Sequence, residues 1–114
     1  LYLKSIAALR ALPAGTLVLP SHGKPFTGLH ERIAQLQAHH DERFAEVLAA
    51  CSAGPQSAAD LLDLLFKRKL DLHQTTFAMG ESIAHVHALQ SAGRLAPEAG
   101  ADGVLRWRTV ATTA

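Results

Sequence analysis

Cysteine is almost absent from this sequence. Cys51 is the only one in 114 residues, alongside a single tryptophan, tyrosine and methionine. One cysteine excludes an internal disulfide framework and makes a reducing compartment the default, so a cytoplasmic protein is expected. No run approaches the roughly 20 apolar residues that a membrane span requires, so no membrane partner is expected. Charge is scant as well: 11 basic residues against 10 acidic ones leave a net charge of +1. That balance provides neither the basic footprint of a nucleic-acid binder nor an acidic solvating tail. Metal-ligand clusters of the H-E-x-x-H or C-x-x-C kind do not occur. The one H-x-H pair, His85 and His87, falls in a helical pattern that turns the two rings about 200° apart. The first residue is Leu1, not methionine, and it opens directly onto a helical repeat. A fragment of a longer chain is therefore expected.

With 48% hydrophobic residues, the chain can form one domain with a modest core. Its most distinctive stretch is Leu17-Val18-Leu19-Pro20-Ser21-His22-Gly23-Lys24-Pro25-Phe26. Three branched apolar residues, preceded by Pro13 and Gly15 and stopped by Pro20, predict a short buried strand. His22 follows at its exit, beside a glycine that admits backbone conformations closed to other residues and a proline that stiffens what comes next. A lone histidine in such a loop is more often a solvated turn residue than a ligand. Moreover, zinc needs three or four ligands.

Around this stretch the pattern is helical. Leu3, Ile6 and Leu9 predict a helix over residues 2–12, ended by Pro13. Leu29, Ile33, Leu36, His40, Phe44, Val47 and Cys51 step by three or four and predict about six helical turns, with Thr27 as N-cap and Glu31 in the first turn. On that apolar stripe, His40 reads as a core or interface histidine with a satisfied hydrogen bond. His39 and Arg43 are i, i+4 neighbours able to act together on an anion. Ser57 is the expected cap of a helix over residues 58–66, and Lys67-Arg68-Lys69 follows it. A third helix is expected from a cap at Thr75 or Thr76 to about residue 92, with Met79, Ile83, Val86 and Leu89 on its apolar face and Gly93 as its stop. Segments 94–98 and 104–108, joined across Gly100 and Gly103, predict a hairpin whose Leu105 and Trp107 face the helices. Residues 109–114 read as a frayed tail. The expected fold is thus mainly α: a three-helix, winged-helix-like domain with a C-terminal β-hairpin.

The run LVLPSHGKPF, with YLKSIAALRALPAG before it and LHERIAQLQAHHDERFAEVL after it, resembles the C-terminal portion of metallo-β-lactamase-fold hydrolases. It is similar to the branch that adds a winged-helix-like domain, and A-H-V-x-x-L-x-x-x-G-R from Ala84 to Arg94 is similar to the third helix of such modules. The resemblance implies that residues 1–28 are the remnant of an αββα hydrolase domain and that 29–114 form the added domain. It implies that His22 is the last histidine of a dinuclear metal centre, most often zinc, which activates a bridging water. His39 and Arg43 match its H-x-x-x-R helix element, and Lys24, Pro25 and Phe26 would line the substrate mouth. The family's H-x-H-x-D-H cluster is absent from the chain, so this piece alone is expected to bind zinc weakly and to catalyse nothing.

Three functions follow as expectations. The first is the C-terminal part of a metal-dependent hydrolase acting on an ester, thioester, lactone or phosphodiester. In it a missing N-terminal hydrolase domain is the partner, and the helical domain serves as a lid or homodimerisation element. The second is a winged-helix DNA binder, and the third a non-catalytic interaction module. Against DNA, residues 74–92 carry no Lys or Arg, with Gln74, Gln90, two histidines and Glu81 where a recognition helix needs cations.

Overall fold

Pro13 and the turn after it divide the first forty residues into a short helix and the start of a long one. In the computed structural model, which describes residues 1–110, helix α1 (Tyr2–Ala8) runs into a 3-10 turn at Leu9–Ala11. The chain then forms α2 (Leu29–Ala53), α3 (Leu62–Leu65), α4 (Leu72–Ser91), and strands β1 (Leu95–Ala99) and β2 (Leu105–Thr109). It is mainly helical with an antiparallel hairpin at its C-terminal end, as the sequence predicts. The chain divides into two compact units, Leu1–Asp41 and Glu42–Ala114, with the boundary inside α2.

In the first unit the turn after α1 closes where Thr16 donates to the Pro13 carbonyl through both N–H (3.1 Å) and hydroxyl (2.6 Å). The 3-10 turn after α1 is tied to α2 by two bonds: His30 Nε2 to the carbonyl of Leu12, which ends the turn (2.8 Å), and the Arg10 guanidinium to Gln37 (3.1 Å). Leu29 and Ile33 are buried, whereas α1 buries none of its own residues. The expected buried strand at 17–19 is reduced to one two-bond bridge between Val18 and Phe26. Leu17 and Leu19, on either side, are 60% and 73% exposed. Strand burial requires a neighbouring strand and a covering layer, and a single bridge provides neither. Gly28, with φ +89° and its carbonyl accepting from Arg32 N–H (3.0 Å), holds the position ahead of α2 that was expected of Thr27.

The second unit has a core drawn from every element. Val47 and Cys51 of α2 meet Leu61 and Leu65, Val86 and Leu89 of α4, Leu95 of β1 and Trp107 of β2. Ser57 does cap the next segment. Its N–H donates to the Asp60 carboxylate (2.9 Å), and its hydroxyl accepts from Asp60 N–H (3.1 Å). Hydrogen bonding to the carboxylate from the Ser57 backbone N–H, and after it from the Ser57 side chain, holds the Asp60 carboxyl below its ordinary value. The first turn is tight, with Leu62 N–H reaching back only to Ala59 (3.2 Å), so regular α geometry is confined to α3.

Helix α4 is capped at Asp71, four residues before Thr75 and five before Thr76, because Asp71 and Gln74 form a reciprocal capping box. Its buried stripe is Ala78, Ser82, Val86 and Leu89, not the predicted Met79, Ile83, Val86 and Leu89. Ser82 is fully buried with its hydroxyl donating to the Ala58 carbonyl (2.8 Å). A satisfied serine behaves as a small core residue, and the helix turns toward it, leaving Ile83 outside. Gly93, at φ +74°, ends α4 by donating to the Gln90 carbonyl (3.0 Å), while Arg94 N–H reaches the Leu89 carbonyl (2.8 Å).

Strands β1 and β2 pair antiparallel with Leu95 opposite Thr109 and Pro97 opposite Trp107. On the far side of β2, Gln56 and Trp107 exchange both backbone bonds (3.0 and 2.8 Å). Trp107 is buried at 4% exposure, but Leu105 is 44% exposed, so only one of the two predicted inward residues packs. Thr109 belongs to β2, and residues 111–114 of the expected tail lie outside the described residues.

In the hairpin loop the Arg106 guanidinium donates to both Asp102 carboxylate oxygens (3.1 and 2.8 Å), and Val104 N–H adds a third bond (3.0 Å). A Cβ on Gly100 would lie 2.6 Å from side-chain atoms of both Arg106 and Asp102, so a larger residue there would have to displace this ion pair. Arg106, and after it Val104, pull the Asp102 carboxyl from its ordinary 3.8 down to about 2. A depressed carboxylate stabilises the folded loop fully above pH 3.8, and that contribution is lost as pH falls toward 2. NMR titration of the Asp102 carboxyl is expected to show a midpoint near 2, and Asp102→Asn should remove this part of the acid sensitivity. An ordinary midpoint would rule out the persistent ion pair.

Candidate metal-ligand loop

The Val18–Phe26 bridge (2.8 and 3.0 Å) closes a seven-residue loop, 19–25, whose apex carries His22 and Gly23. Gly23 has φ +99°, and nothing lies within 4 Å of where its Cβ would be. Backbone conformation, not crowding, is thus the reason for glycine here. His22, Lys24 and Pro25 are exposed, and Phe26 is half-buried where the bridge anchors it. The loop therefore gathers four of the sequence-predicted site residues and presents the imidazole and the ammonium to solvent.

The other two lie on α2. His39 is exposed, its ring edge-on to His40 at 5.8 Å between centroids. His40 is half-buried, bonded through Nδ1 to the Leu36 carbonyl (2.8 Å) and set against Tyr2 at 6.0 Å. This agrees with its reading as a packed, satisfied histidine. Arg43 belongs to the second unit and pairs with Glu46 one turn on (3.2 Å). Its charge is thereby already balanced by a neighbour on its own helix.

Among the described residues no group of three or more His, Cys, Asp or Glu is placed to hold a metal ion. These residues do not by themselves fit a metal; His22 offers one donor where zinc takes three or four. His85 and His87 diverge as their spacing requires, His85 packing on Phe44 (5.2 Å) and His87 on Trp107 (5.8 Å). Glu81 is the single charged residue of α4, and two of the hairpin arginines are engaged by acids, Arg106 by Asp102 (2.8 Å) and Arg108 by Glu98 (3.4 Å). Among the described residues, no helix is long and apolar enough to cross a membrane.

The family profile for the "Metallo-beta-lactamase-like, C-terminal domain" matches residues 44–110. The chain is also similar to the crystal structure of a beta-lactamase domain protein from Burkholderia ambifaria, with 51% identity and a TM-score of 0.93. That similarity covers 96% of this chain and 33% of the other, so the chain spans about a third of that protein's length. No curated protein matches the chain. The chain belongs to the metallo-beta-lactamase-like family, through its C-terminal domain.

Proposed function

We propose that this chain is the C-terminal part of a metal-dependent hydrolase acting on an ester, thioester, lactone or phosphodiester, and that His22 is its contribution to a dinuclear zinc centre. The observation that carries this reading is the 51% identity over nearly the whole chain to a protein three times as long. Residues 1–28 would complete the hydrolase domain, and α2 would lead from it into a winged-helix-like domain at 29–114. The exposure of Tyr2 (61%), Leu17 (60%) and Leu19 (73%) supports that division, since an apolar surface of this kind is what a sheet and its covering helix would bury. Gln56 supports the winged-helix reading: it pairs with β2 opposite β1, giving a three-ribbon order of Gln56, β2, β1 after the first helix.

In this reading a bound metal pair would supply an activated water. The chain's own part is to hold the His22 imidazole on a bridge-closed loop and to set Lys24, Pro25 and Phe26 beside it, at the substrate mouth. The same resemblance would give His39 and Arg43, both on α2, a part in substrate contact, and the helical domain would serve as lid or dimerisation element. The chain by itself would be inactive, and the full protein would be cytoplasmic.

The reading makes a direct prediction for the isolated chain. Titration calorimetry with zinc should give an affinity no better than that of a solvent-exposed imidazole. Nanomolar affinity would mean that a complete site exists within these residues and would overturn the ligand-sharing account.

A further inference from the structure

The chain has no asparagine, and only one of its five aspartates, Asp102, is followed by glycine. The others precede Glu42, Leu61, Leu64 and Leu72. The distinction is chemical, because the backbone nitrogen after an aspartate can attack that residue's own carboxyl carbon. A side chain on the following residue hinders the approach, and glycine has none. Nothing lies within 4 Å of where a Cβ on Gly103 would be, so no neighbour shields that side of the residue either. The reaction balances with water alone. The Gly103 nitrogen bonds to Cγ of a protonated Asp102 carboxyl, its proton and the carboxyl hydroxyl leave as water, and a five-membered succinimide closes. One water then opens the ring. Cleavage between nitrogen and Cγ restores aspartate, whereas cleavage between nitrogen and the main-chain carbonyl carbon leaves the chain running through Cγ, an isoaspartate of unchanged mass.

In the folded hairpin both reacting groups are already engaged. The carboxylate accepts two bonds from the Arg106 guanidinium (3.1 and 2.8 Å) and one from Val104 N–H (3.0 Å). Gly103 N–H is turned toward the Gly100 carbonyl (3.0 Å), in a tight turn that Gly100 N–H closes on the Val104 carbonyl (2.9 Å). The fall of the Asp102 carboxyl from 3.8 to about 2 lowers its protonated fraction near neutral pH by roughly 50-fold. Water nevertheless reaches the pair, since the side chains of Arg106 and Asp102 are 32% and 52% exposed. One surface arginine thus stands between this carboxylate and its reactive form. An isoaspartate adds one atom to the main chain where Gly103 meets Gly100 and moves the carboxylate to Cα, so the turn that joins β1 to β2 could not keep these bonds.

We propose that Asp102-Gly103 is a covalent modification site of this chain, a spontaneous isoaspartate site that the Arg106 guanidinium holds closed in the folded hairpin. The test is to incubate the chain at pH 6 and 37 °C and to quantify isoaspartate at position 102 by peptide mapping with fragmentation that separates the two isomers. A synthetic peptide of residues 98–106 is the unfolded reference, and the folded chain should isomerise at least about tenfold more slowly than it does. Arg106→Gln should raise the rate in the chain about tenfold or more, toward that of the peptide. Arg106→Lys keeps the charge but not the two-pronged geometry and should fall between. The matched control is Arg108→Gln, which removes the pair with Glu98 (3.4 Å) on the same hairpin and should behave as wild type. Circular dichroism checks that each variant keeps its helix content; if Arg106→Gln does not, Arg106→Lys decides, a rate above wild type supporting the proposal and a wild-type rate overturning it. Three further results would each overturn it: a peptide that does not isomerise, a wild-type chain that isomerises as fast as the peptide, or a folded Arg106→Gln chain no faster than wild type. An Arg108→Gln rate equal to that of Arg106→Gln would do the same, since it would assign the protection to the hairpin as a whole and not to Arg106.

Discussion

Replacing Trp107 by alanine is expected to destabilise the second unit by about 3–5 kcal/mol. The side chain is 4% exposed among Val47, Cys51, Leu61, Leu65, Val86, Leu89 and Leu95. Its Nε1–H donates to Gln90 (3.1 Å), and its backbone holds Gln56 on one side while β1 pairs on the other. Truncation therefore empties the centre of the core and loosens the one residue at which three backbone segments meet. A unit of this size has about 4–11 kcal/mol to lose, so the variant should be marginal or unfolded at room temperature. Urea unfolding followed by far-UV circular dichroism measures it without needing the tryptophan as a probe. Trp107→Phe separates the two contributions, because it keeps most of the buried ring and loses only the bond to Gln90, for a cost of about 1 kcal/mol beyond the packing change. Equal losses for the two variants would mean that the hydrogen bond, not the packing, dominates.

The second large effect concerns His22. In a longer protein carrying this chain with its hydrolase domain, His22→Ala is expected to lower bound metal and to reduce turnover on the order of 100-fold or more. The unfolding of the helical unit should not change, because His22 is exposed on a loop of the first unit. His39→Ala, also exposed, is the matched control and should leave metal content intact while acting on the Michaelis constant if it faces substrate. Metal analysis and activity are read together: unchanged metal and turnover in His22→Ala would return this residue to the turn-forming histidines.

These two residues differ in how much of their setting is legible in the sequence. The long helix is plain in it, since Leu29, Ile33, Val47 and Cys51 recur at helical spacing and all four are buried. Its histidine is legible too: His40 falls on the stripe and finds its bond to the Leu36 carbonyl (2.8 Å). The hairpin follows from alternation and from glycines whose positions the turn demands. Other features were hidden by residue type. Asp71 and Gln74 form a capping pattern that the threonines just after it obscured, and α4 starts early as a result. Ser82 is polar, so periodicity passed over it and assigned to the inside Ile83, which is 41% exposed while Ser82 is fully buried.

At the loop of His22 the division is sharper. Pro20, Gly23 and Pro25 mark a constrained turn whatever surrounds it, and Gly23 duly adopts φ +99°. Whether Leu17 and Leu19 are buried depends on what lies beside them, and in this structure a single bridge leaves them at 60% and 73% exposure. Local backbone preference and helical period act within a few residues, so the sequence by itself determined the helices, the turns and the hairpin of this protein. Burial and hydrogen-bond satisfaction depend on contacts between distant segments. Only the tertiary structure therefore decided that Ser82 belongs to the core, that Trp107 joins three backbone segments, and that one face of α4 is left to solvent.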